Sequence, residues 1–188
     1  MPAPSVHATV SHGLTDKIAI QGAGTVGGGK GAYYVQGAAG LFKSFQNRNV
    51  LELYGGFGYG YAYTEGSFST HGYKNDLYGP FQVYFSQFNF GKNNSGFKNT
   101  DYGFGIKTGY IHASLTDHNY YDYSGYAPYR MRKYDGILIE PQLFIRSGGK
   151  KLKIQATLGF CSILKFANSD KRQPHFPINL GVGMSYSL

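Results

Sequence analysis

The chain has 188 residues, among them 28 Gly, 18 Tyr and 14 Phe, and this mixture favours one all-β domain, because glycine destabilises helices and aromatic residues are enriched in strands. Its formal net charge of +8 is scattered, with no long run of Lys or Arg, so no nucleic-acid partner is expected. The lone Cys161 excludes an internal disulfide and a cysteine-based zinc site, and no apolar run approaches the ~20 residues of a transmembrane helix.

Alternation with period two predicts nine strands separated by turn-forming residues. In chain order they cover 5–12, 17–26, 32–45, 49–64, 80–90, 101–115, 135–147, 151–165 and 175–188. Several are longer than the ~5–6 residues most common in globular strands and match the ~9–11 residues of a tilted membrane strand. Short connections alternate with longer ones at 65–79, 116–134 and 166–174, as periplasmic turns and external loops do in outer-membrane barrels.

The fourth predicted strand has one apolar or aromatic face and one small face on which Glu52 is the charged residue. The first face is Leu51, Leu53, Phe57, Tyr59, Tyr61 and Tyr63, and the second includes Gly56, Gly58 and Gly60. A soluble barrel would expose a charged face to water, whereas small and uncharged residues suit a crowded interior. The apolar face is therefore predicted to meet lipid, with its leucine end toward the periplasm and its tyrosine end outside.

The sequence thus predicts an all-β fold, an antiparallel up-and-down transmembrane β-barrel of about 8–10 strands, formed by residues 1–188 as a single domain. Nine strands are an odd number, so we expect either a further strand before this region or eight strands if two candidates do not pair. The N-terminus "MPAPSVHATV" lacks the basic and apolar parts of a signal peptide, so an exported protein is expected here in mature or truncated form.

Three segments, "HGLTDKIAIQGAG", "NVLELYGGFGYGYA" and "INLGVGMSYSL", resemble the small outer-membrane barrel proteins and lipoproteins of Bacteroidetes. The last is similar to the signal that the barrel-assembly machinery recognises, but it ends in leucine rather than the usual aromatic residue. Its lipid-facing residues would be Leu180, Val182, Met184, Tyr186 and Leu188. The resemblance implies a bacterial outer-membrane location. It also implies three partners: membrane lipids and lipopolysaccharide, the assembly machinery, and another outer-membrane protein.

Charged residues on the predicted inner face are candidates for a functional lumen. They are Glu52, Lys107, Glu140, Arg146 and Lys153. A charge inside a narrow barrel is costly unless it is paired or wetted. The five residues therefore predict either a salt-bridge network that fills the lumen or the lining of a polar pore.

Two further groups are candidates at the predicted outer rim. The segment 117–133 is predicted to be an external recognition loop, or a loop that meets lipopolysaccharide head groups, because Tyr and Arg are enriched in binding hot spots. Its candidate residues are Tyr120, Tyr121, Tyr123, Tyr126, Tyr129, Arg130 and Arg132. His112 and Ser114 share one strand face near this loop and are the candidates for a lipid A-modifying hydrolase of the rim. Positions i and i+2 are ~6.5 Å apart by rise, too far for a direct nucleophile–base hydrogen bond, so neighbouring residues would have to complete the site.

The preferred interpretation is a barrel with a mostly filled polar lumen and a structural or interaction role through its external loops. The alternatives are a narrow channel for small or hydrophobic solutes, a soluble lipocalin-like barrel that encloses a lipid, and the rim hydrolase. The preferred interpretation is not an enzyme, and no metal or cofactor is expected, because the histidines are scattered without ligand spacing.

Overall fold

The structure, a computed structural model, describes residues 5–27, 30–67, 74–93, 99–118, 121–122, 125–126, 130–149, 152–166 and 178–186. Most of these residues lie in strands, and the described connections 14–17 and 45–48 are tight turns. They contain no helix long and apolar enough to cross a membrane.

All nine predicted strands are present, and two short additional strands lie between the sixth and seventh of them. The strands are β1 (Ser5–Gly13), β2 (Ile18–Gly27), β3 (Tyr33–Ser44), β4 (Asn49–Ser67), β5 (Lys74–Lys92), β6 (Thr100–His118), β7 (Tyr121–Asp122), β8 (Gly125–Tyr126), β9 (Arg130–Gly148), β10 (Leu152–Phe160), β11 (Ser162–Lys165) and β12 (Ile178–Tyr186). The eighth predicted strand is divided at Cys161 into β10 and β11.

The longest strands, β4, β5, β6 and β9, each have 19 residues and extend beyond the predicted limits. The predicted loops 65–79 and 116–134 are therefore partly strand, which corrects their boundaries. The pairing continues through Glu65↔Asp76 and Asp117↔Arg130, where polar residues and glycine break the hydrophobic alternation that marked the strands in the sequence.

The strands form one antiparallel sheet in which neighbours in the chain are neighbours in space. Its order is β1-β2-β3-β4-β5-β6-β9-β10-β12, with β11 continuing beyond β10 along β9. The two end strands also meet, since a Cβ built on Gly183 of β12 would lie 3.3 Å from Thr9 Cβ of β1. The predicted up-and-down antiparallel barrel is confirmed as a nearly closed barrel.

One end of the barrel, here called the turn end, carries the short connections 14–17 and 45–48. The other end, here called the loop end, carries the strand ends at Ser67, Lys74, His118 and Arg130. Side chains alternate between a solvent-accessible outer face and a buried inner face along every long strand. In β10, for example, the outer residues Ile154 and Leu158 are exposed, whereas Gly159 on the inner face is buried.

The outer face carries a continuous girdle of exposed apolar side chains, here called the apolar band. It includes Val10, Ile20, Val35, Leu53, Phe57, Phe104, Ile106, Ile137, Leu143, Ile145, Ile154, Leu158, Leu180, Val182 and Met184. Near the loop end the band passes into tyrosines in ring contact across strands, such as Tyr33 with Tyr59 and Tyr61 with Tyr78. An exposed apolar surface this extensive is far beyond the scattered residues of an ordinary soluble monomer.

Glycines on the inner face of β4 leave room for aromatic rings that project from other strands. A Cβ on Gly56 would lie 2.5 Å from the Gly37 carbonyl oxygen and 2.6 Å from the Phe85 ring. A Cβ on Gly60 would lie 2.5 Å from the ring of Phe81. The small face predicted from the sequence is therefore small because aromatic side chains fill the space above it.

Candidate functional site: the barrel interior

The inner faces of β5, β6 and β9 change from apolar to polar between two adjacent rungs of the sheet. Toward the loop end, Phe85, Gly109 and Leu138 form the last apolar rung. The next inward-facing rung toward the turn end is Gln87, Lys107 and Glu140. On these three strands the inner face is therefore apolar above this level, apart from Asp117 and Arg132 near the loop end, and mainly polar below it.

Above this level the interior is lined by two clusters of buried apolar side chains. One is Val83, Phe85 and Leu138, and the other is Ala113, Leu115 and Tyr134. The sequence showed these residues as small or apolar positions on a face that is polar elsewhere. Their inward direction could have been derived by continuing the period-two count of β5, β6 and β9 to the loop end.

Lys107 lies at the level where the inner face changes from apolar to polar. Its ammonium donates a hydrogen bond to Gln36 Oε1 at 2.7 Å and lies 3.8 Å from Glu140 Oε2. The same nitrogen lies 4.6 Å from the ring centroid of Phe85, and Tyr34 donates to the same Gln36 oxygen at 3.1 Å. The Glu140 carboxylate thus compensates the charge of Lys107, and the Phe85 ring covers it, at the level where the apolar inner residues begin.

Below this level a polar layer crosses the lumen, here called the plug. Arg146 Nη1 lies 3.5 Å from Glu52 Oε1, and its Nε donates to Gln155 Oε1 at 2.7 Å. Asn89 donates from Nδ2 to the other Glu52 oxygen at 2.9 Å, and the Arg146 guanidinium stacks over the Phe144 ring with 4.6 Å between centres. Sequence analysis selected Glu52 and Arg146, whereas Asn89, Phe144 and Gln155 were missed because uncharged residues on an inner face carry no distinctive pattern.

The plug divides the interior into two spaces of very different size. Above it lies a cavity of about 420 Å³ that reaches from Phe144 and Arg146 of the plug toward the loop end at Ala62 and Leu77. Below it lies a crevice of about 10 Å³ beside Glu52 and Asp101, which is room for one water at most. Asn89, Phe144 and Arg146 of the plug border both spaces.

Two more ion pairs lie near the ends of the barrel. At the turn end the Lys153 ammonium lies 2.5 Å from Asp101 Oδ2, so the predicted charge Lys153 has a partner that the sequence did not identify. At the loop end Arg132 donates from Nη2 to Asp117 Oδ2 at 2.7 Å, with both side chains about nine-tenths buried. Placing Arg132 in an external recognition loop is therefore wrong, because strand β9 continues far enough to turn it inward.

The other predicted loop residues are described only in part. Tyr121 and Tyr126 pair in the short β7–β8 hairpin, and Arg130 begins β9. Tyr120, Tyr123 and Tyr129 lie outside the described residues, and so does Leu188 of the predicted assembly signal. Of that signal, Leu180, Val182 and Met184 are exposed on the outer face, and Tyr186 ends β12.

A polar cluster lies on the outer face just above the apolar band. His112 on β6 and Asp135 on β9 are opposite each other in the ladder, and His112 Nδ1 lies 2.7 Å from Asp135 Oδ1. Tyr110 donates its hydroxyl proton to the same oxygen at 2.5 Å. These two hydrogen bonds hold the pKa of Asp135 below its usual range, and the bond from Tyr110 has the larger effect. Ser114 follows on the same outer face of β6.

No group of three or more His, Cys, Asp or Glu side chains that could hold a metal ion occurs among the described residues. No protein-family model, curated protein or solved structure matches this chain.

Proposed function

We propose that this chain is an integral β-barrel of a bacterial outer membrane whose lumen is plugged, and that it acts as a structural or interaction protein rather than as an open channel. The observation that carries the proposal is the apolar band. Lipid favours this outward arrangement of apolar side chains around a polar interior, and water opposes it.

The direction of the apolar faces separates this proposal from a soluble lipocalin-like barrel. A soluble barrel holds its apolar residues around the ligand and exposes polar ones. Here Leu143, Leu180 and Val182 are each 60% or more exposed, while Asn89, Lys107 and Asp117 are buried. Exposing so many large apolar side chains to water would cost about 1.5–3 kcal/mol for each one, relative to burial in lipid.

Detergent dependence and gel migration test the proposal that the barrel lies in a membrane. The purified protein should require detergent to remain monodisperse, and its gel migration should change on boiling, as expected of a folded barrel. A monodisperse, detergent-free monomer in water would refute the proposal.

Conductance in planar bilayers tests the plug. The protein should give no steady open-channel steps, whereas replacement of Arg146 and Phe144 by alanine together should produce them, since both side chains belong to the plug. Steady conductance by the unmodified protein would favour the channel alternative over the plugged barrel.

A second candidate function is the rim hydrolase, and the contact between His112 and Asp135 is the observation that favours it. A carboxylate on Nδ1 orients the imidazole so that Nε2 can take a proton from a serine hydroxyl. Ser114 lies on the same face, two residues along, a rise of about 6.6 Å. The two side chains would therefore have to lean together.

Release of fatty acid from lipopolysaccharide by the purified barrel tests the second candidate. A hydrolase should lose this release in His112→Ala and in Ser114→Ala, and keep it in Thr116→Ala on the same outer face. Failure of the unmodified protein to release fatty acid would eliminate it.

A further inference from the structure

The cavity above the plug has the size and lining of a ligand site. Its volume of about 420 Å³ falls within the ~300–1,000 Å³ of small-molecule pockets, which are mostly apolar with a few fixed polar groups. Leu77, Val83, Ile111, Leu138 and Ile163 contribute apolar wall. A cavity of this size with such walls exceeds what packing alone leaves in a protein interior.

The floor of the cavity offers hydrogen bonds without a net charge. Lys107 faces Glu140, and Arg146 faces Glu52 in the plug beneath, so each cation has a carboxylate nearby. Gln36 and Gln87 bring uncharged amides to the same level. An ion buried on this floor would have no opposite charge left over to compensate its loss of hydration.

A polar atom of the lining is also left without a hydrogen bond within the described residues. Gln21 donates from Nε2 to Ser11 Oγ at 3.4 Å, while its buried Oε1 accepts a hydrogen bond from no donor among those residues. A buried carbonyl of this kind costs free energy unless a bound molecule or water donates to it. The side chain of Gln21 lines the same cavity.

We propose that this cavity binds a small, uncharged and mainly apolar molecule that carries a hydrogen-bonding group at its inner end. The molecule enters from the loop end, where Ala62 and Leu77 line the cavity, because the plug lies at the other end. This inference rests on the proposed function only for the direction of entry. Binding itself depends on the interior and can be measured in detergent.

N-phenyl-1-naphthylamine is a suitable probe, because it is uncharged and apolar and has a single N–H. Its fluorescence should rise saturably with one molecule bound per barrel, above the signal of detergent alone. The anionic relative 8-anilinonaphthalene-1-sulfonate should bind at least tenfold more weakly. A signal equal to the detergent blank, or equal binding of the anion, would overturn the proposal.

Two matched variants locate the bound probe. Ala62→Phe fills the cavity wall and should weaken binding at least tenfold, whereas Ala39→Phe, on the outer face of β3, should leave it unchanged. Equal binding by both variants would place the probe outside the barrel and refute the site.

The lone cysteine gives a measurement that needs no substitution. Cys161 lines the cavity, so bound probe should slow its alkylation by N-ethylmaleimide. Unchanged alkylation at saturating probe would overturn the proposal even if Ala62→Phe does not fold. If the protein proves soluble without detergent, the membrane proposal fails while probe binding is still decided by these measurements.

Discussion

At the scale of single residues, the space around an inner-face position and the charges near it decide which side chain fits there, more than the conformational preference of the residue does. Gly55 and Gly56 are adjacent in β4, yet a Cβ would meet nothing within 4 Å at the first and the Gly37 carbonyl at 2.5 Å at the second. The two glycines therefore have different roles, since Gly55 faces outward and Gly56 lies beneath Phe85.

This contrast predicts that Gly56→Ala destabilises the barrel and that Gly55→Ala does not. The added methyl at position 56 requires the backbone of β3 or the Phe85 ring to move, and overpacking of this kind costs about 1–3 kcal/mol. Urea titration in phospholipid vesicles, with the folded fraction read from unheated gels, would measure the difference. Equal loss of stability in both variants would contradict the space argument.

The plug ion pair allows a second prediction at this scale. Glu52→Gln leaves the Arg146 charge without its carboxylate in a site where both side chains are about one-sixth exposed, so we expect a loss of about 3 kcal/mol. Adding Arg146→Met should cost less than its effect in the unmodified protein, because no unpaired charge then remains. A double-mutant cycle by the same urea titration measures this coupling, with Lys17→Met in an exposed turn as control. Additive effects would show that the two charges do not interact.

At the scale of the strand, the outer face is not apolar along its whole length, because the apolar band ends before the loop end of the barrel. On β9 the outward residues Leu143 and Ile145 belong to the apolar band, while Asp135 and Lys133 lie above it toward the loop end. The same strand thus passes from an apolar to a polar exterior. The boundary lies between Ile137 and Asp135, at the level of Tyr110 on the neighbouring strand.

This boundary predicts that an outward arginine is tolerated above the band and not within it. Leu143→Arg should destabilise the barrel in vesicles by about 2–4 kcal/mol, whereas Met131→Arg, equally outward on β9 and above the band, should cost about 0–1 kcal/mol. Both native side chains are 60% or more exposed, so burial inside the protein does not separate them. Equal costs in vesicles would indicate that the band does not contact lipid.

At the scale of the whole molecule, the path of nine strands places its two ends side by side. Successive strands are antiparallel, so β1 and β12 run in the same direction where they meet. Gly181 and Gly183 of β12 face His7 and Thr9 of β1 at this contact. Closure there rests on contacts of these inner-face residues, because the described ladders join β1 only to β2 and β12 only to β10.

Closure can be tested by cross-linking. In a Cys161→Ser background, Thr9→Cys with Gly183→Cys should form a disulfide on mild oxidation, because the Cβ atoms would lie 3.3 Å apart, close to the ~3.5–4.5 Å of natural disulfides. Thr9→Cys with Val182→Cys should not, since Val182 points to the outer face. Absence of the first cross-link on non-reducing gels would mean that the sheet is open between β1 and β12.

The sequence by itself determined the strands and the face on which each residue lies, because period-two alternation is a local property of an extended chain. It predicted all nine long strands, the exposed row of Leu53, Phe57 and Tyr59, and the inward direction of Glu52. It misjudged the strand limits near the loop end, where polar residues and glycine interrupt the alternation. For the same reason the sequence placed Arg132 in a loop and did not predict that it points into the barrel.

Only the tertiary structure decided which inner residues meet and what space they leave. The register and closure of the sheet bring Lys107 to Gln36 across 71 residues of sequence, pair Lys153 with Asp101, and place Asp135 against His112. They also set the level at which the apolar cavity ends and the plug begins. No local pattern encodes these contacts, because the strand alternation fixes the direction of a side chain while the register of all its neighbours fixes its partner.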